Sequence, residues 1–141
     1  MYGKELIIDL YQCDVRRFTR NEITYFYEQL CKEIDMEPCK QTFWDDKWTW
    51  LWKILLFWQK IDYATDFHTK GTSAVQFILT SNITIHTLDK LGEVYINLFS
   101  CKDFDIDRAL EFCVSFFDSK DNAYYIVNRG KKSFYQRKEI K

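Results

Sequence analysis

Ser73, Ser81, His86 and Cys101 are the side chains of this 141-residue chain whose types and spacing could do chemistry. His86 follows Ser81 by five positions, Cys101 follows it by twenty, and Ser73 precedes it by eight. A hydroxyl, an imidazole and a thiol together suit nucleophilic or acid–base catalysis. The serine–histidine pair suggests hydrolysis first. Against that, the chain has no G-x-S-x-G turn to expose a nucleophile, and no acid partner for His86 is evident. Each residue also has an ordinary reading: His86 as a hydrogen-bonded strand histidine, Cys101 as a buried apolar thiol, Ser73 as a residue with no signal of its own.

The elements that must position these residues follow from apolar periodicity. Lys4–Tyr11 alternates as a strand, with Leu6, Ile8 and Leu10 on one face. Thr19-Arg20-Asn21-Glu22 has capping-box form, and Ile23, Phe26, Tyr27, Leu30 and Ile34 then fall at helical spacing, before Pro38. Ala74–Leu79 is a nearly continuous apolar strand. Ile83 and Ile85 alternate with Thr84 and His86, which places Ser81 and His86 on opposite faces unless the backbone bends near Ser81. Asp89-Lys90-Leu91-Gly92 reads as a turn. In the next strand Val94, Ile96 and Leu98 share one face, and Tyr95, Asn97, Phe99 and Cys101 the other. Asp103 or Asp105 caps a second helix with an Ala109, Leu110, Cys113, Phe116 and Phe117 stripe, and Ala123–Val127 is a last strand. The sum predicts an α+β two-layer sandwich, a mainly antiparallel sheet with two helices on one face.

One domain over residues 1–141 is the expectation at this length, with an aromatic insert at 39–70 and a basic tail at 129–141. Phe43-Trp44 reads as a strand fragment. Residues 48–58 carry four tryptophans, and three readings fit: a helix packed on the domain or on a second subunit, an aromatic pocket lining, or an interfacial membrane helix. The stretch is too short and interrupted to cross a bilayer. Net charge is −1, and neither side of Ser81 is polarised, so no nucleic-acid partner is expected. The tail reads as a solvated basic end. Five cysteines without C-x-x-C spacing, and charges from Lys4 onward, suggest reduced thiols, no signal peptide and a cytoplasmic protein with no membrane partner. Two histidines, His68 and His86, leave no metal site expected.

The string Thr80-Ser81-Asn82-Ile83-Thr84-Ile85-His86-Thr87, with Leu98-Phe99-Ser100-Cys101 behind it, resembles the short bacterial and archaeal S-adenosylmethionine decarboxylases. That family carries Glu-Ser-His-Ile-Ser-Ile-His-Thr and a later Phe-Thr-Cys. The serine-to-cysteine separation matches, as does the upstream serine, Ser73. The opening strand ending in Gln12-Cys13-Asp14 is similar too. The resemblance covers roughly residues 3–38 and 71–128.

It implies a proenzyme in which the Ser81 hydroxyl attacks the Thr80 carbonyl. Cleavage between Thr80 and Ser81 then gives chains 1–80 and 81–141, with Ser81 converted to a pyruvoyl group. It assigns His86 to proton transfer in processing, Ser73 to assistance in the same step, and Cys101 to proton donation in decarboxylation. The pyruvoyl carbonyl forms a Schiff base with the substrate amine and acts as the electron sink, with no metal or dissociable cofactor. S-adenosylmethionine is the implied substrate, a homodimer of processed protomers the implied assembly, and spermidine biosynthesis the implied use. Phe67 takes the position of the adenine-stacking aromatic. The departures are Thr80 for Glu, Asn82 for His, and Leu88-Asp89-Lys90 for Trp-Pro-Glu. A lysine cannot accept hydrogen bonds from ribose hydroxyls, and Asp89 is the nearest substitute. Lys90 keeps a pyruvoyl decarboxylase of arginine or ornithine open as an alternative. An unprocessed regulatory paralogue is another, and a generic binding domain or membrane-surface protein a third.

Overall fold

The structure, a computed structural model, describes residues 3–45, 70–130 and 135–138. The tryptophan-rich stretch, Phe67 and His68 lie outside the described residues.

Seven strands form one sheet: β1 (Gly3–Tyr11), β2 (Pro38–Asp45), β3 (Thr72–Ile78), β4 (Ser81–Leu88), β5 (Glu93–Ser100), β6 (Asp121–Arg129) and β7 (Tyr135–Lys138). Their order across the sheet is β2-β3-β4-β5-β1-β6-β7, and every neighbouring pair is antiparallel. Two helices, α1 (Arg20–Glu33) and α2 (Ile106–Phe116), complete the α+β two-layer sandwich. They cover one face of the sheet.

Alternation decides which face is covered. Leu6, Ile8 and Leu10 of β1, Ile83 and Ile85 of β4, and Val94, Ile96 and Leu98 of β5 are at most 2% exposed and point at the helices. Ile23, Phe26, Tyr27 and Leu30 of α1 close the core from above, with Ala109, Leu110 and Cys113 of α2. Phe26 sits among Phe112, Phe116 and Phe117, with ring centroids 4.9–5.8 Å away. The other face bears no helix among the described residues. It carries Ser73, Val75, Thr84, His86, Tyr95, Asn97, Phe99, Glu5, Ile7 and Asp9, all at least partly exposed.

Both helix starts are where the sequence puts them. Thr19 Oγ1 accepts from the Glu22 N–H at 3.3 Å, and the Glu22 carboxylate pairs with Arg17. Asp105, rather than Asp103, caps α2, accepting from the Arg108 N–H at 3.0 Å. Asp103 instead pairs with Lys4. Part of the basic tail is sheet. Residues Tyr135–Lys138 pair with Tyr124–Val127 as β7, which satisfies the backbone groups that β6 would otherwise leave open. Phe43-Trp44 belongs to the strand β2, so part of the expected insert is sheet.

Candidate active site

Thr80 and Ser81 sit at the tip of the β3–β4 hairpin. Ile78 pairs with Ser81, so Leu79 and Thr80 make a two-residue turn. Such turns need a positive φ, usually supplied by glycine or asparagine. Here Thr80 supplies it, at φ +69°. A β-branched residue in the left-handed region stores on the order of 1–3 kcal/mol of strain. That strain lies at the bond where the resemblance leads one to expect cleavage.

Two hydrogen bonds hold the Ser81 side chain. Its Oγ donates to the Thr80 carbonyl oxygen at 2.6 Å and accepts from the Cys101 N–H at 3.1 Å. Cys101 follows β5 and is exposed. Its backbone is bracketed by its neighbours: Ser100 Oγ, buried, accepts from the Lys102 N–H at 3.0 Å and donates to the Lys102 carbonyl at 2.7 Å. Lys102 Nζ also reaches the carbonyl and carboxylate of Asp35, both at 2.6 Å, at the end of α1. The loop carrying Cys101 is thereby pinned against Ser81.

Ser73 and His86 meet elsewhere. They are directly opposite in the β3–β4 ladder, and Ser73 Oγ lies 2.7 Å from His86 Nδ1. With the imidazole proton on Nε2, the serine donates to Nδ1 and Nε2 is left as a donor. Tyr95 pairs with His86 on the β5 side, and its hydroxyl donates to Glu93 at 2.6 Å. That bond, with burial, pushes the Tyr95 phenol up to about 12. Asp9 on β1 is held above the usual carboxylate range by burial and by the Glu93 charge. Thr42, Trp44, Ser73, His86, Tyr95 and Asn97 line a shallow groove on the open face. Asp89, exposed, stands in the turn just past this end of β4.

The candidate residues therefore form two groups. Thr80, Ser81 and Cys101 are at one end of the sheet; Ser73, His86 and Asp89 are toward the other. Ser81 and His86 are five residue steps apart along β4, roughly 17 Å at about 3.4 Å per step. The bend that would bring them together in one chain is absent, because the turn comes before Ser81 and β4 runs on unbroken. Tyr95 is the residue that sequence reasoning undervalued. Its place on the face of Asn97 and Cys101 was readable, but its pairing with His86 depends on register.

Among the described residues no group of histidine, cysteine and acidic side chains is placed to hold a metal ion, and no helix is long and apolar enough to cross a membrane. Comparison with known proteins sets this arrangement in context. No curated protein sequence matches the chain. Among solved structures, the crystal structure of the adenosylmethionine decarboxylase from Aquifex aeolicus VF5 is similar, with a TM-score of 0.67 at 18% identity over 92% of this chain and 91% of that one. This likeness concerns the fold. The sequence profile of S-adenosylmethionine decarboxylase matches residues 59–130, a span that holds the strained hairpin, the Ser73–His86 pair and Cys101. By that match the chain belongs to the S-adenosylmethionine decarboxylase family.

Proposed function

We propose that this chain is a pyruvoyl-dependent S-adenosylmethionine decarboxylase that makes its catalytic carbonyl from Ser81. One observation carries the reading beyond family membership: Ser81 Oγ rests beside the Thr80 carbonyl, in a strained turn, with the Cys101 N–H on it.

The chain's own residues account for the processing step. Ser81 Oγ attacks the Thr80 carbonyl carbon, the C–N bond breaks, and the amide becomes an ester. Relief of the left-handed Thr80 conformation favours a rearrangement that is otherwise uphill. Loss of the Ser81 α-proton then breaks the Cβ–Oγ bond, and Oγ leaves as part of the Thr80 carboxylate. The Cys101 N–H already donates to that oxygen and stabilises the charge it acquires. Water replaces the nitrogen, releasing ammonia and leaving a pyruvoyl group on the 81–141 chain. That group, once formed, supplies an electron sink for loss of CO₂ from an amine-bearing substrate. Cys101, carried on the pinned loop, donates the proton that completes the product.

His86 and Ser73 assist processing, and roughly 17 Å is far beyond hydrogen-bond reach. A second copy resolves this. In a two-fold homodimer, each protomer's Ser73–His86 pair and Asp89 serve the other's Ser81. The product, decarboxylated S-adenosylmethionine, then serves spermidine synthesis in the cytoplasm. Arginine or ornithine as substrate is the second reading, favoured by Lys90 in place of the family's ribose-binding glutamate.

Intact mass measurement under denaturing conditions tests the class. The expected result is two fragments, 1–80 and 81–141, the second with a blocked N-terminus. CO₂ release from S-adenosylmethionine, arginine and ornithine then decides the substrate. Ser81→Ala stays one chain and is inactive, whereas Cys101→Ala is cleaved and loses most turnover. Full decarboxylase activity in Ser81→Ala would sink the mechanism.

A further inference from the structure

On the open face, next to the Ser81 end of the sheet, three side chains form a box whose chemistry the processing step does not use. Phe99 of β5 pairs with Asn82, the residue after Ser81, and lies two residues before Cys101. Its ring reaches across to Gly3 of β1. A Cβ at Gly3 would come within 2.6 Å of the ring, so the ring packs against backbone there in space that only glycine leaves open. Over the ring stands the Arg129 guanidinium, 5.0 Å from the centroid. Glu5, which pairs with Phe99 across the β1–β5 ladder, meets the same guanidinium at 3.5 Å. An aromatic face and a carboxylate thus converge on one positive charge on the helix-free face, one residue along the β4–β5 ladder from Ser81.

The occupant is loosely held. Arg129 is the last residue of β6, its side chain is 56% exposed, and its contact with Glu5 is long. Glu5, by contrast, is 19% exposed at the side chain, and Phe99 is partly buried within the sheet. The fixed part of the box is the acceptor; the movable part is the cation.

We infer that Phe99 and Glu5 form a cation subsite near Ser81, and that Arg129 fills it until a positive group of the substrate takes its place. The inference rests on the decarboxylase reading for the identity of the ligand: a substrate that presents its amine at residue 81 and carries a second positive centre, sulfonium, guanidinium or ammonium. The carboxylate is matched to that centre and not to a neutral ribose. Arg129 competes with substrate, so its removal tightens binding, the opposite of what loss of a substrate ligand does.

The test uses the full chain and three small probes, trimethylsulfonium, methylguanidinium and methylammonium, with neutral tert-butanol as the control, titrated by NMR. Arg129→Gln is expected to bind at least one cation about fivefold more tightly than wild type, and tert-butanol no better. Phe99→Leu or Glu5→Gln in the Arg129→Gln background should cancel the gain. In turnover, Arg129→Gln lowers KM by a similar factor with kcat nearly unchanged. Unchanged or weaker cation affinity in Arg129→Gln, or a gain shared by tert-butanol, overturns the subsite. The order among the three cations assigns the positive group. If the wild-type chain stays uncleaved and releases no CO₂ while Arg129→Gln still gains affinity, the decarboxylase reading fails and the subsite stands.

Discussion

The separation of Ser81 from His86 makes a prediction that an intrachain site does not. Take two variants, Ser81→Ala and His86→Ala, each defective in cleavage by itself. The two positions are five residue steps apart along β4, roughly 17 Å, and the Ser73–His86 pair is fixed by ladder register, so no side-chain motion closes the gap. If each site joins Ser81 of one protomer to His86 of its partner, a mixed dimer holds one intact site and one doubly defective site. Random assembly of equal amounts gives half mixed dimers, so about a quarter of all sites are competent. The two chains are co-expressed with different tags, passed over both affinity resins, and weighed by mass spectrometry. Cleavage is expected in the doubly tagged fraction alone, and there in the His86→Ala chain alone, because it retains Ser81. If the mixed fraction stays uncleaved while wild type is processed, or if His86→Ala alone is cleaved at the wild-type rate, the shared-site reasoning is refuted.

Three further outcomes follow from the core and its electrostatics. Tyr27 is fully buried and its hydroxyl donates to the Ala74 carbonyl at 2.9 Å, next to Ser73; Tyr27→Phe should cost about 1 kcal/mol in urea unfolding, because a buried acceptor loses its partner. At Gly71 a Cβ would fall 1.6 Å from the Thr87 carbonyl oxygen, so Gly71→Ala must push β3 from β4 at the Ser73–His86 end; a lowered Tm and slowed cleavage are expected. Asp9 has its carboxyl raised above 3.8 by burial, then by Glu93. A raised folded value means its protonated form is favoured in the fold, a contribution fully present below 3.8 and lost as pH rises through the folded value. Asp9→Asn should therefore be more stable than wild type at pH 7, and the difference should vanish in urea titrations below the ordinary carboxylate range.

Much of the fold was legible because the strands are half-buried. Leu6, Ile8 and Leu10, or Val94, Ile96 and Leu98, alternate so strictly that both the element and its inner face can be read off. The helices announced themselves by Thr19 and Asp105 as much as by periodicity. Strand order was not legible: nothing local in Gly3–Tyr11 says that it lies between β5 and β6, since that depends on which edges the helices leave accessible. The seventh strand was missed because Tyr135–Lys138 has charge without alternation, and its pairing is made by backbone groups that every residue has. The candidate residues were found by type and spacing, but their grouping was not. Five positions look close in a sequence and are far apart in an extended chain. Phe99, Glu5 and Arg129 come from three strands distant in sequence, so register alone brings them together.

The strand order has a consequence for what a cut at the hairpin tip leaves behind. Residues 1–80 contribute β1, β2 and β3, and residues 81–141 contribute β4 to β7. Across the sheet these alternate in blocks: β2 and β3 from the first piece, β4 and β5 from the second, β1 from the first, β6 and β7 from the second. Three ladders then join the two pieces, and β1 is clasped on both sides by the other fragment. Neither fragment holds a contiguous sheet of its own. The nicked protomer is an interlaced pair that comes apart only by unfolding. Once unfolded, its return is a two-body event that slows with dilution, whereas the uncut precursor folds alone. A cut at the tip would thus turn a concentration-independent folding equilibrium into a concentration-dependent one, with the native state kept by its braid rather than by a continuous backbone.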